Sequence, residues 1–477
     1  MEDRRMQADP PVAPVHGVSR RRVLAGAAAG LLGSSWLGSG ARVEASAGAA
    51  LMVEPPSRDS GVSGTWHPRF AAVRQEFVRN FRDRGEVGAA VCVIVDGQTV
   101  VDLWGGTARP DTGEPWDENT LTQIWSSTKG ATSLCAHILA SRGLLDLDAP
   151  VVTYWPEFGQ SGKAGVTVRM LMSHQAGLPA VRSPLPQGAF YDWDLMVDRL
   201  AAEEPFWEPG TRNGYHALTF GFLVGELVRR ISGRSLGTFF REEVASPLGL
   251  DFWIGLPEEE EPRVAPSIPA GLPGPGETIS VFLLKALTEP TSIPALAFFN
   301  SGGYTNPGES DTRAAHAAEI GASGGITNAR GLAHMYAALT GASGRGGLVS
   351  SDELARMGRV ASATGQDATA FLPTRFSLGF VKSIDNRLQP PGLQDSVIMS
   401  EDAFGHSGFG GSIGFVDPEA RMSFGYVMNR MGQGTGINER GQSLVDAVYR
   451  SLDYSSNASG SWVPDSRSRQ PSHANFR

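Results

Sequence analysis

The chain has 477 residues, 41 basic and 50 acidic side chains, a net charge of −9 and two cysteines. An acidic balance excludes nucleic acid and anionic membrane surfaces as natural partners, and two cysteines cannot staple a disulfide-built scaffold. With no H-E-x-x-H, no C-x-x-C and no dense histidine cluster, the sequence calls for no metal and no other cofactor.

Residues 1–47 read as an export signal. Ser19-Arg20-Arg21-Arg22-Val23-Leu24 matches the twin-arginine pattern, an apolar stretch over 25–37 follows, and Ala45-Ser46-Ala47 is an A-x-A cleavage site. The expected location is periplasmic or extracellular. The apolar stretch is too short and too rich in glycine to span a bilayer, and no other segment comes closer, so no stable membrane insertion is expected. Beyond residue 47 the chain carries 35 basic and 46 acidic side chains, a net charge of −11. Residues 48–65 read as a linker, 66–454 as one folded domain, and 455–477, rich in Ser, Pro and Arg, as a disordered tail.

Within the domain, Phe70, Val73, Phe77 and Phe81 recur at helical spacing over 67–85. Two apolar runs, 89–95 and 99–104, meet across Asp96-Gly97, a strong hairpin signal. A short apolar approach over 121–125 leads into a small-residue helix with Leu134, Ile138 and Leu139 on its core face. Helical patterns follow over 166–172, 193–203, 218–231 and 236–244. Residues 255–320 read as a long irregular excursion. Thr327 is placed to cap a helix over 328–339. Strands return over 375–381, 411–416 and 422–428, and a helix over 437–452 closes the domain. Strands thus lie at both ends and helices between. The expected fold is α/β of the α+β type: one antiparallel sheet built from both chain ends and flanked by helices, with a mainly helical lobe inserted over about 145–325. A cleft between two such lobes is where a site is expected.

The chemistry concentrates in three places. Ser126-Ser127-Thr128-Lys129 puts a hydroxyl and an amine one turn apart on one helical face. Serine needs a neighbouring base to become a nucleophile, and a buried lysine loses its proton readily enough to be that base. Lysine is scarce here, with only four among 41 basic residues. Tyr215 follows a tight loop, Pro209 to Gly214, just before a helix, where a phenol with its pKa lowered by a lysine ammonium can also take a serine proton. The run 404–415 holds five glycines around His406-Ser407-Gly408-Phe409, which implies close backbone approach. A backbone N–H there can complete an oxyanion hole with that of Ser126.

Ser126-x-x-Lys129, then Tyr215, then His406-Ser407-Gly408, in that order, resembles the serine β-lactamase/penicillin-binding-protein superfamily, above all class C β-lactamases and family VIII carboxylesterases. The resemblance runs from about residue 67 to 452. It implies a Ser126 acyl-enzyme, Lys129 and Tyr215 as the proton-transferring pair, the Ser126 and Phe409 N–H groups as oxyanion hole, and His406, Ser407 and Gly408 in place of the family's Lys-Thr-Gly strand. Two departures stand out. The Tyr-x-Asn of the lactamases is Tyr215-His216-Ala217, which has no amide, and His406 replaces a permanent cation. Those groups hold the amide and carboxylate of a lactam, so their absence points to a neutral small-molecule ester or lactone as substrate. A β-lactamase or D-Ala-D-Ala peptidase, an acyltransferase of the same fold, and a non-catalytic peptidoglycan-binding protein remain open, as does the oligomeric state. Gly233-Arg234-Ser235-Leu236-Gly237 matches the G-x-S-x-G of α/β-hydrolases, but the helical pattern before it makes Ser235 a helix cap. His174 reads as a structural histidine. Cys92 and Cys135 lie in apolar segments and read as buried free thiols.

Overall fold

The Asp96-Gly97 hairpin forms as its chemistry requires. Both residues take positive φ, 51° and 77°, the twist that a two-residue turn needs. In the computed structural model, which describes residues 51–54, 61–271, 278–340, 347–456 and 460–465, this turn joins two long central strands. In chain order the first elements are β1 (Met52–Glu54), β2 (Val62–Trp66), α1 (Ala71–Asp83), β3 (Gly88–Val95), β4 (Gln98–Arg109), β5 (Glu114–Pro115), β6 (Leu121–Gln123) and α2 (Thr128–Ser141). The mainly helical part follows with α3 (Val168–Met172), α4 (Trp193–Ala202), α5 (Thr219–Ser232), α6 (Leu236–Phe240), a π-helical stretch and α7 (Ser246–Leu248). Then come β7 (Phe252–Ile254), β8 (Val264–Ala265), α8 (Val281–Thr288), α9 (Ile293–Phe299), α10 (Arg313–Ala317), β9 (Gly325–Thr327), α11 (Ala329–Ala337) and α12 (Ser351–Gly358). The chain returns to the sheet through β10 (Ser362–Thr364), β11 (Thr374–Phe376), β12 (Val381–Lys382), β13 (Phe404–Ser407), β14 (Ile413–Asp417) and β15 (Met422–Met428). It ends with α13 (Glu439–Ser451), β16 (Tyr454–Ser456) and β17 (Trp462–Pro464).

The main sheet runs β1-β2-β4-β3-β15-β14-β13-β12-β11-β10, with β5 paired to β4. All its pairs are antiparallel, and β3 meets β15 in register from Met422–Val95 to Met428–Ala89. Strands from both chain ends therefore form one sheet, as expected. A smaller sheet, β7-β9-β6-β8, lies beside the helical part. One face of the main sheet packs on α1 and α13, where Phe70, Val73, Phe77, Leu444 and Val448 meet Val91, Phe415 and Phe424. The other face packs on α11. That helix lies flat on the strands because Gly425 has no side chain: a Cβ there would sit 2.3 Å from the Ala329 carbonyl oxygen. Beyond α11, α2 runs through the second core with every residue from Thr128 to Leu139 buried.

Several expectations need correction. The supposed linker over 48–65 contains β1 and β2, and Val62 is fully buried; the short Val-Ser-Gly-Thr-Trp run has little hydrophobic alternation of its own and is a strand because β4 pairs with it. The strand expected over 375–381 is two, β11 and β12, turned back on each other at Gly379, whose φ is 85°. The excursion over 255–320 holds three helices. The cap of α11 is Asn328, whose side chain accepts from Gly331 N at 2.8 Å, while Thr327 ends β9. The tail does not lose order at Ser455: β16 pairs with β17, and Trp462 stacks on Tyr449 with ring centroids 5.7 Å apart. The export signal over 1–47 and the rest of the tail, 457–459 and 466–477, fall outside the described residues.

The two helices of the outer face are tied to the sheet by a buried charge. Glu86 accepts from Arg440 Nη1 of α13 at 2.7 Å and from the Tyr426 hydroxyl of β15. Burial pushes the Glu86 carboxyl up, and the Arg440 charge and the Tyr426 hydrogen bond pull it down. Arg440→Leu leaves that carboxylate without its counter-charge and is expected to cost about 3–5 kcal/mol of stability, read as a shift in the urea midpoint; the double variant Glu86→Gln/Arg440→Leu recovers part of the loss.

Candidate functional site

β6 delivers the chain to a strained turn. Trp125 holds φ 47°, a left-handed conformation that costs a bulky residue energy. Its carbonyl accepts from Thr128 Oγ1 at 2.6 Å, and its ring packs against Tyr304 and Phe409 at centroid distances of 6.1 and 5.8 Å. The single 3₁₀ turn Trp125–Ser127 then opens α2, which leaves Ser126 half-exposed at a helix N-terminus while Ser127 and Thr128 are fully buried.

Lys129 is fully buried one turn on. Its Nζ lies 3.0 Å from Ser126 Oγ, 2.7 Å from the Ala217 carbonyl oxygen and 3.0 Å from that of Ala322. Among the described residues no carboxylate partners it, and burial holds its pKa well below the usual lysine range. A neutral amine has two N–H groups and one lone pair. Given to the two carbonyls, the N–H groups leave the lone pair facing the Ser126 hydroxyl, which is the geometry of a general base.

Tyr215 comes to the same oxygen from the other lobe. Its phenol faces Ser126, whose hydroxyl lowers the phenol pKa, and its ring lies under Lys129 Nζ at 4.9 Å. The expected lowering of its pKa is not found. Burial pushes the phenol up, helped by the charge of Asp367 and opposed by the Ser126 hydroxyl. Tyr215 is a neutral phenol here. It is clamped in place: its N–H donates to both oxygens of buried Asp367, at 2.9 and 3.1 Å, and its ring stacks on Phe376 at 4°. Asp367 also accepts from Thr369 N and Ala370 N, each at 2.8 Å, and from Thr374 Oγ1 at 3.0 Å.

The third motif lies where its order implied. β13 packs against the Trp125–Ser127 turn, and the 408–411 turn that follows is bonded to it. Ser412 Oγ donates to the Ile124 carbonyl at 2.8 Å and sits 3.2 Å from Ser127 Oγ. The close approach expected of the glycines is real: a Cβ on Gly408 would lie 2.2 Å from the Ile124 oxygen. Phe409 N–H has no acceptor among the described residues. Ser407 and His406 are buried in β13. The His406 Nδ1–H donates to the Ser407 carbonyl at 2.7 Å, and Nε2 is unpartnered. Burial, helped by Lys129, lowers its pKa to about 3, so its ring is neutral.

Ser126, Lys129, Tyr215 and the His406–Phe409 segment therefore converge. The profile of the Beta-lactamase family matches residues 74–448. This chain belongs to the beta-lactamase family. It is 36% identical over 385 residues, 79% of this chain and 85% of the relative, to the Esterase/beta-lactamase LipL of Mycobacterium tuberculosis. It is similar to a family VIII carboxylesterase of known structure, at 38% identity and a TM-score of 0.71, covering 82% of this chain and 99% of that one. A penicillin-binding protein homolog from Caulobacter crescentus aligns at 34% identity and a TM-score of 0.70 over the same shares. The chain is an esterase/beta-lactamase-fold serine hydrolase.

Other residues of this beta-lactamase-family site escape sequence reading. Asp367 sits in an ordinary Asx turn, and nothing local says that it holds Tyr215, 152 positions away. Ala217 and Ala322 act through backbone oxygens. His174 stays structural: it is buried, its Nδ1 accepts from His216 N at 3.1 Å, and its ring props the edge of Tyr215 at 5.0 Å. Ser235 caps α6, accepting from Thr238 N, after α5 has ended at Gly233, so no strand-to-helix elbow exists there. Cys92 and Cys135 are free and buried, and burial raises both thiol pKa values. Gly408→Ala must push the 408–411 turn off Ile124; a misplacement of that size is expected to lower kcat about a hundredfold, with a lowered thermal midpoint from the overpacking, about 1–3 kcal/mol.

Proposed function

We propose that the protein is a carboxylesterase that cleaves small neutral esters or lactones through an acyl-enzyme on Ser126. Ser126 gives its proton to Lys129 Nζ as Oγ attacks the ester carbonyl carbon. The Ser126 and Phe409 N–H groups hold the developing oxyanion. The leaving alkoxide takes a proton from Tyr215, and the Lys129 ammonium returns a proton to the phenolate. Water then repeats the sequence on the acyl-enzyme, with Lys129 again as base. The export motif over 19–47 adds the proposal that this happens outside the cytoplasm.

The observation that carries the ester reading is the uncharged His406. A carboxylate-bearing lactam needs a cation at this end of β13, and a ring with a pKa near 3 supplies none. Arg375, which lines the adjoining cleft, is occupied by Glu401 through Nη1 at 2.8 Å. That cleft is bounded by Tyr215 and His406 and walled by Leu372, Pro373, Phe376 and Val381, a lining that favours an apolar acyl or alkoxy group. Relatives named as esterases, including Esterase EstB of Burkholderia gladioli, 30% identical over 42% of this chain and 54% of the relative, support the same reading.

Ser126→Ala is expected to abolish p-nitrophenyl butyrate hydrolysis and fluorophosphonate labelling, and Ser235→Ala to leave both. Equal loss in the two folded variants contradicts the assignment, and a wild-type chain that never labels is a binding protein instead. Hydrolysis of p-nitrophenyl butyrate should exceed that of nitrocefin in kcat/KM, since each missing charge-assisted hydrogen bond is worth about 1.5–3 kcal/mol; the reverse ranking identifies a β-lactamase.

The pH profile has a definite sign. Lys129 must be neutral to act, so activity rises with pH through its depressed pKa and reaches its plateau well below the lysine range. His406 and His216, lowered to about 3 and about 4, are already neutral and add no limb between about pH 5 and 9. Lys129→Ala should lower kcat by roughly 10²–10⁴ and remove that acid limb.

A further inference from the structure

The helices α8 and α9 form a hairpin bent by 85°, with Lys285 as the one charged residue in the helices and Glu289 in the turn that joins them. No single helix among the described residues is long and apolar enough to cross a membrane, but this pair has that composition when taken together. Its inner side is used in folding: Phe282, Ala286, Pro294, Ala295 and Ala297 are buried. Its outer side is apolar too. Leu284, Leu287 and Phe299 are 45%, 58% and 42% exposed, and a groove of about 430 Å³ runs between Leu287, Pro290, Leu296 and Phe299. A soluble fold has no structural use for an apolar face on both sides of a surface hairpin.

The buried side of the hairpin adjoins the site. Phe298 packs on Phe282 at 6.1 Å and on Phe409 at 5.6 Å, and Phe409 packs on Trp125, next to Ser126. The hairpin therefore stands over the turn whose N–H groups are the candidate oxyanion hole. Its cations are already engaged. Lys285 pairs with Glu289 at 2.8 Å, and Arg182 at the groove's rim pairs with Glu203 at 2.5 Å and lies over the Phe206 ring. With a net charge of −9 on the chain, an anionic surface is repelled and an uncharged one is not.

We propose that the outer face of α8–α9 seats the enzyme on the surface of an uncharged lipid, so that esters are drawn from a lipid–water interface into the site beneath Phe298. This rests on the esterase reading for its purpose, but the contact itself does not. Seating is peripheral: the helices lie on the surface with the Leu284, Leu287 and Phe299 side chains in the acyl boundary.

The test is flotation of the full chain with phosphatidylcholine vesicles, beside hydrolysis of dissolved p-nitrophenyl butyrate, for the wild type and for Leu284→Ser/Leu287→Ser. The wild type should float, the variant should lose about tenfold in partition per leucine removed, and both should hydrolyse the dissolved ester equally. Added phosphatidylglycerol should weaken flotation. A wild type that stays at the bottom, a variant that floats as well, or a wild-type dimer that the substitutions split in sedimentation without any vesicle binding would overturn the proposal. Flotation lost in the variant while neither form cleaves esters supports the lipid surface and refutes the esterase reading alone.

Discussion

An uncompensated amine in the core is the constraint around which this molecule is arranged. Lys129 has no acidic partner, and three oxygens at 2.7–3.0 Å replace one. Two of them are carbonyls from distant parts of the chain, Ala217 before α5 and Ala322 before β9. The inserted helical part must therefore be folded and docked on α2 before the lysine has its shell. Lys163 shows what the arrangement would be without chemistry. It too is buried with three oxygens, but all are carbonyls, those of Gln160, Ala201 and Glu203. Three acceptors suit an ammonium. Replacing one of them with the hydroxyl of Ser126 creates a place where a lone pair has a donor to meet.

Strain and neutrality then follow around that centre. Trp125 holds a left-handed backbone that nothing local favours, and Tyr304 and Phe409 press its ring from two sides. Tyr215, His174, His216 and His406 gather within stacking distance of one another, and all are held uncharged by burial. A proton shared by a serine, an amine and a phenol thus has no charged histidine nearby to compete for it. The same neutrality removes the anchor that a charged substrate would use, so the electrostatics of catalysis and of selectivity come from one set of buried rings.

The sequence showed these parts unevenly. Ser126-x-x-Lys129, the Asp96-Gly97 turn and the 404–415 glycine run are local patterns, in which spacing alone fixes neighbours, and each is found where its spacing requires. The direction of the Tyr215 pKa is set by burial and by Asp367, neither of which is a property of the loop 209–214. Asp367, Ala217 and Ala322 were invisible for a related reason: two contribute only backbone oxygens, and the third is an ordinary turn aspartate until the fold brings Tyr215 to it. Strands β1 and β2 were missed because they owe their extension to a neighbour rather than to alternation, and β17 because Trp462 needs Tyr449 to stack on.

The scarcity of lysine has a practical consequence. Three of the four, Lys129, Lys163 and Lys382, are at most 1% exposed. Lys285 on α8 is the one whose side chain meets solvent, at 31%. Amine-directed chemistry on the folded chain is thereby funnelled, apart from the α-amino group, to one address on the apolar hairpin. A fluorophore or a solid support attached through lysine would be site-selective without engineering, and would report on or block the face that stands over the reaction centre.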